Sequence, residues 1–322
     1  MIKRALVRAA VISGIPAAVL AAGRRRLRIL EYHGVCPDAL AREPWMPAYF
    51  VSASRFREQM RFLRRRLRPL PLEEAVRRLR EGTLPPGAVA VTFDDGYANN
   101  LHEALPILAE HSIPATIYLA THYVETGALF PYDRIRLLRD FWRRSGLPER
   151  PGACSMKDYL TRPLDEVTAL IDRDWREAGT APTGVQHEAL RPLRRDELPR
   201  LDPALVSFGA HTHRHVILRN ETRERRDEEI RRSAGLVREW RGAPEGLFSY
   251  PNGQPGDFDD GDKAALRAAG VASAVSCRRG SNPRGTDPLE LRRYSLGLHH
   301  DLDIFRIEIC GLRVAALRFF RR

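Results

Sequence analysis

An α/β fold built on a parallel sheet or barrel is what this 322-residue sequence predicts, and three features predict it. Apolar stretches of strand length alternate with segments of helical periodicity. Several strand candidates are apolar without interruption, as in strands buried on both faces. Acids, histidines and tight-turn residues stand where those strands end, the place where parallel α/β folds gather functional groups.

Taken in order, the segment MIKRALVRAAVISGIPAAVLAAGRRRLR carries an apolar run from Ala9 to Ala22 between basic flanks. Arg8 interrupts its start and Arg24, Arg25 and Arg26 follow it directly, a placement that opposes export. The run is also shorter than the roughly 20 residues a spanning helix needs. Residues 1–26 are therefore expected to lie against the inner face of a membrane as an amphipathic or re-entrant segment, with a signal or anchor as the alternative.

LRILEYHGV (27–35) reads as the first strand, ending in Tyr32 and His33. Ser54 is expected to cap a helix whose apolar positions Phe56, Met60, Leu63 and Leu67 recur at helical spacing. PLEEAVRRLREG (71–82) is a helix stopped by Gly82, and GAVAVTF (87–93) a buried strand. LHEALPILAEHS (101–112) and PATIYLA (114–120) are the next helix and strand. Residues 125–200, rich in arginine, proline and charged helix formers, break the alternation and predict a helical insertion over one rim. Alternation resumes with strand 205–211, helix 223–240, strand 246–251, helix 261–270 and strands 272–276 and 289–296.

With 43% hydrophobic residues the chain can bury a large core, and one main domain is expected, over 27–300. The formal charge of +12 fits an acidic partner surface or an arginine-rich coding bias, because only Lys3, Lys157 and Lys263 among 53 basic residues are lysines. No recognition motif or aromatic platform favours nucleic acid. Cys36, Cys154, Cys277 and Cys310 are scattered and predict neither a zinc knuckle nor a disulfide framework.

Two motifs carry chemistry. VTFDDGY (91–97) ends an apolar strand in adjacent carboxylates, Asp94 and Asp95, which is costly unless something there needs negative charge. GAHTHRH (209–215) places His211 and His215 four apart, so that a helical turn or tight strand exit can aim two imidazoles at one point, with His213 directed elsewhere. Two histidines and one carboxylate make a three-ligand metal site with open positions, leaving the other acid of the pair as a base. FSYPNG (248–253) ends a third strand in a turn able to present backbone N–H groups.

TFDDGY, GAHTHRH and FSYPNG, with YHGV near the start and ALPILAEHSIPATIYL after the acids, resemble the polysaccharide deacetylase family, also called NodB-homology or carbohydrate esterase family 4. The likeness spans about residues 27–300 and is weakest over the insertion. It implies a distorted (β/α) barrel and metal-dependent removal of N-acetyl groups from an amino-sugar glycan or lipid-linked saccharide. By position, Asp94 matches the family's base, Asp95, His211 and His215 match its ligands for a divalent ion, zinc being the expected one, and the backbone N–H of Asn252 matches an oxyanion donor. Two departures matter. Many relatives place a base-orienting arginine two residues before the proline of the third motif; Ser249 stands there, and Arg293 in LELRRYSL is expected to replace it. The family's late Leu-x-His acid is met literally by Leu298 and His300 in SLGLHH, with His299 and His33 as alternatives.

Residues 301–322 form a basic, aromatic tail that would suit an anionic membrane surface as a helix, or pack on the barrel. Together with the N-terminal segment it suggests a cytoplasmic, peripheral inner-membrane enzyme of envelope synthesis, export or anchoring being the alternative. A hydrolase of small C–N amides on the same site, and a catalytically silent glycan- or membrane-binding protein, are the competing functions.

Overall fold

Seven parallel strands close into a barrel, with helices packed around it. The structure, a computed structural model, describes residues 2–241 and 246–312. Two helices, α1 (Ile2–Ile12) and α2 (Ile15–Ala22), precede strand β1 (Arg28–Tyr32). Short strands β2 (Val35–Cys36), β3 (Val51–Ser52) and β4 (Arg68–Pro69) flank α3 (Ala53–Arg66), and α4 (Leu72–Glu81) leads into β5 (Ala88–Phe93). A π-helical turn (Asn100–Ala104) opens α5 (Leu105–His111), followed by β6 (Ala115–Leu119) and α6 (Thr121–Thr126). The insertion is α7 (Pro131–Arg144), α8 (Met156–Thr161), α9 (Leu164–Ala178) and α10 (Gly184–Leu190). Strand β7 (Val206–Ala210), α11 (Arg223–Arg241), β8 (Gly246–Ser249), α12 (Asp260–Ala268), β9 (Val271–Arg279), β10 (Leu291–Ser295) and α13 (Leu302–Cys310) complete the order.

The strands run β1-β10-β9-β8-β7-β6-β5, and β5 pairs again with β1, Tyr32 opposite Phe93, which closes the barrel. Strand β4 adds outside the ring, on β5. The expected barrel with a helical insertion is the observed fold. All its strands point the same way, so the ends after Tyr32, Phe93, Ala210 and Ser249 share one rim.

Alternation along the strands sorts two cores. Ile29, Ala90, Tyr118, Leu247, Val275 and Leu291, one face of six different strands, meet one another inside the barrel, and Leu72, Ala75, Val76 and Leu79 of α4 close that core. Leu30, Val91 and Ile117, on the opposite face, pack under the outer helices. Toward the carboxyl rim the interior turns polar, with Glu31, Thr92, Asp94 and Arg293 all buried.

Three local expectations are modified. Ser54 does not cap α3: it lies in the first turn, and its backbone N–H and hydroxyl both donate to Asp38 Oδ1, at 3.2 and 2.7 Å, so a carboxylate from outside the helix serves the exposed donors. The N-terminal apolar run is broken into two helices by Ser13 and by Gly14, whose φ of 76° caps the second. The tail is helical over Leu302–Cys310, and residues 313–322 lie outside the described residues.

Candidate active site

The two acids separate because the chain turns sharply between them. Asp94 stays in register, its N–H donating to the Tyr32 carbonyl at 2.9 Å. Asp95 and Gly96 then both take left-handed backbone, φ 72° and 77°. Glycine is required at the second position, where an added Cβ would also sit 2.6 Å from Leu119 Cδ2. A non-glycine residue held at positive φ is strain of the kind found at functional sites, and here it sends adjacent carboxylates to different partners.

Asp94 meets Arg293. The guanidinium donates to both carboxylate oxygens at 2.7 Å, a bidentate pair in which neither residue is more than 2% exposed. Arg293 also donates to the Ser276 carbonyl at 3.1 Å and to Ser249 Oγ at 3.1 Å, and Ser249 Oγ lies 3.2 Å from Asp94 Oδ2. The serine of β8 leaves space for an arginine arriving from β10. Glu31 Oε2 stands 3.5 Å from the same guanidinium. Burial works against the charged form of Asp94, but Arg293 and then His211 outweigh it and hold the carboxyl below its ordinary range.

Asp95 meets the histidines. Its Oδ1 lies 3.1 Å from His215 Nε2 and 3.5 Å from His211 Nε2. That oxygen is buried without a hydrogen-bond partner, and one ligand atom from each of the three residues falls within 4.8 Å of the others. Such a set of converging nitrogen and oxygen lone pairs fits a divalent ion with open positions. The histidine spacing works through a loop rather than a helical turn: Thr212 and His215 both have positive φ, 55° and 57°. His211 Nδ1 donates to the Ser249 carbonyl at 2.7 Å, which directs Nε2 toward Asp95. His213 faces away, to Thr121 Oγ1 at 2.9 Å.

The insertion contributes what the motifs do not show. Tyr159 of α8 puts its hydroxyl 2.6 Å from His215 Nδ1 and 3.3 Å from the His215 carbonyl, accepting from the ring and donating to the backbone. Tyr159→Phe is expected to weaken divalent-ion binding about 10- to 100-fold by freeing the ring, measured by competition with a metal-indicator dye.

The remaining candidates are spread around the rim. Asn252 has φ 59° in the turn after β8, its side chain donating to Asp257 Oδ2 at 2.7 Å. His300 is engaged by its own loop and by α3, its Nδ1 accepting from the Gly297 N–H at 3.0 Å and its carbonyl from Gln59 of α3 at 2.8 Å. His33 is nearer the acids: with Glu31 and Asp94 it forms a second group whose polar atoms lie within 4.8 Å, and its Nδ1 is buried without a partner.

Asp133 of α7 was not signalled by any motif. It accepts from Tyr97 at 2.7 Å and Tyr49 at 3.1 Å and is fully buried. Burial, reinforced by the charge of Asp95 and partly offset by Arg136, pushes its carboxyl up to about 7. Because the folded value exceeds the unfolded one, near 4, the unfolded chain loses this proton first and stability falls as pH rises between those values. Asp133→Asn is expected to flatten that slope in thermal denaturation of the metal-free protein.

Fold and site together define a closed parallel barrel with a metal-type Asp/His/His group at the carboxyl rim. A family model described as polysaccharide deacetylase matches residues 81–274, and the chain belongs to that family. No curated protein matches this chain. Among solved structures it resembles the Streptococcus pyogenes deacetylase PplD in complex with acetate, at 17% identity and TM-score 0.60 over 88% of this chain and 98% of that one. A de-N-acetylase from Aggregatibacter actinomycetemcomitans shares 18% identity, with TM-score 0.61 over 87% of this chain and 98% of its own. IcaB from Ammonifex degensii shares 19%, with TM-score 0.56 over 88% and 95%. At these identities the likeness is one of fold.

Proposed function

We propose that the protein hydrolyses the N-acetyl groups of an amino-sugar glycan, using a divalent ion, zinc by the chemistry of its ligands, held by Asp95, His211 and His215. The observation that carries this reading is the division of labour within one Asp-Asp pair: Asp95 converges with two imidazoles while Asp94 is locked to Arg293 beside them. An ion bound there would act as a Lewis acid toward the acetyl carbonyl and the attacking water.

Asp94 accepts the proton of that water as the new C–O bond forms. Its pairing with Arg293 lowers its basicity but keeps it ionised and aimed, and proton transfer depends on geometry first. The Asn252 backbone N–H, on the turn after β8, is the proposed donor to the tetrahedral oxyanion. When the C–N bond breaks, the leaving amine takes a proton and acetate departs. His33, half-buried near Asp94 with an unpartnered nitrogen, is better supported as that proton's source than His300, whose Nδ1 accepts from Gly297. His33→Ala should then cost more activity than His300→Ala.

A second reading, hydrolysis of a small amide, is favoured by the insertion: Tyr132 of α7 and Tyr159 of α8 both pack on the His215 ring, at centroid distances of 5.2 and 6.4 Å. A lipid-linked saccharide is a substrate only if the protein works at a membrane surface.

The test is acetate release from N-acetylated oligosaccharides and from small N-acyl amides, by metal-loaded wild type and His211→Ala. Release from the oligosaccharides by the wild type alone, with metal lost in the variant, supports the proposal. Turnover of the small amides only would move the assignment to the second reading, and failure to bind a divalent ion would sink both.

A further inference from the structure

Both ends of the described chain meet on one face. Val7 and Val11 of α1 pack with Ile307 of α13 in a small separate core, and Leu312 joins its edge. Arg28, 2% exposed, donates to the carbonyls of Gly23 at 3.2 Å and Ile309 at 3.1 Å, tying the end of α2 to α13. The α1–α2 hairpin is thus held in one orientation against the barrel's flank.

Its outward side is apolar. Ile12 and Ile15, on either side of the Ser13–Gly14 turn, are 76% and 46% exposed, two of the few large hydrophobic side chains so exposed among the described residues. Ala17, Ala18, Ala21 and Ala22 continue the exposed surface along α2. Arg24, Arg25 and Arg26 follow at once, all exposed, and Arg8 is exposed on α1. The first acidic residue of the chain is Glu31, so nothing within this segment neutralises them. The chain leaves the described residues at Leu312, beside the same face, and the ten residues that follow include Arg313, Arg318, Arg321 and Arg322 with Phe319 and Phe320 and no acid. No described helix is long and apolar enough to cross a membrane.

We propose that this face is a docking surface for an anionic lipid bilayer, with Ile12 and Ile15 entering the headgroup boundary and Arg24–Arg26 pairing with lipid phosphates. An apolar rim flanked by arginines, in a segment that holds no acid, matches that interface in both polarity and charge. The geometry adds a direction. The Gly87 N–H donates to the Arg24 carbonyl at 2.7 Å, which puts the arginine triplet at the amino ends of β1 and β5. Asp94 and Asp95 lie at the carboxyl end of β5, about 20 Å away for a strand of this length. Docking therefore turns the catalytic rim away from the lipid, toward a glycan in water. This last point rests on the proposed function; the docking does not.

The test is co-sedimentation of the full-length protein with vesicles of phosphatidylcholine alone and with added phosphatidylglycerol, alongside acetate release from a soluble substrate. Wild type is expected to bind only the anionic vesicles, and less as salt rises. R24Q/R25Q/R26Q should weaken binding on the order of a hundredfold, and I12D/I15D by roughly tenfold or more. Both should keep the parent's melting temperature and its rate on soluble substrate. Binding unchanged in both variants, equal binding to neutral vesicles, or no vesicle binding at all overturns the docking surface. Loss of activity on vesicle binding overturns the orientation alone. Absence of acetate release with vesicle binding intact would count against the deacetylase reading and leave the docking surface standing.

Discussion

Asp94→Asn is expected to slow acetate release by roughly a thousandfold while the protein still binds a full equivalent of divalent ion. The amide has nearly the carboxylate's shape but cannot take a proton from water, so the attacking nucleophile must form without a base. Ion binding should survive because the converging ligand atoms belong to Asp95, His211 and His215, and Asp94 is committed to Arg293 at 2.7 Å through both oxygens. Rate and metal stoichiometry, measured on the same preparation, separate the roles. If the variant lost its metal, Asp94 would be a ligand; if it kept its rate, the base would have to be sought elsewhere.

Replacing Arg293 by leucine should destabilise the fold by about 3–5 kcal/mol, because the buried Asp94 carboxylate loses its bidentate partner and no guanidinium stands between it and Glu31. Urea denaturation gives the value. The double variant Asp94→Asn with Arg293→Leu should be more stable than Arg293→Leu alone, since it removes one stranded charge, whereas Asp94→Asn in the parent should be destabilising; the same effect in both backgrounds would show that the pair is not coupled. The pH dependence has a definite sign. In the parent, Arg293 holds Asp94 below its ordinary value, so the stabilisation is complete above about pH 4 and is lost as pH falls through the folded value. Without Arg293, burial dominates and raises the Asp94 value, and the acid-side loss should begin at higher pH.

Much of the site is local in sequence and could be read there. A carboxylate pair at the end of an apolar strand is expensive without a counter-charge, and histidines four apart at another strand end offer further ligands for a cation that would supply one. Parallel strands bring such ends to a single rim, so the proximity of Asp95, His211 and His215 follows from order and alternation. Serine at 249, where an arginine was expected, pointed to Arg293 as its replacement. Tyr159 could not be read: it is 56 residues from His215, in the segment that breaks the alternation, and no spacing rule connects them. Asp133 was hidden for the same reason, since a carboxylate on a charged helix reads as solvated until the helix is seen to turn it onto two buried tyrosines.

The sequence by itself determined the strand and helix alternation, the break in it over the insertion, and the residues that end the strands, because periodicity and turn chemistry act over a few residues; it left a parallel sheet or barrel open, and the closed barrel came from the motifs' resemblance to a family. Which acid faces which partner had been matched only by resemblance; tertiary structure supplies the physical cause, positive φ at Asp95 and Gly96, and it alone decided which histidine nitrogens face inward, through Ser249 and Tyr159. It also brought Val7 and Leu312 to one face. Those outcomes depend on contacts between segments tens to hundreds of residues apart, whose geometry is set by packing around the closed barrel and not by any local pattern.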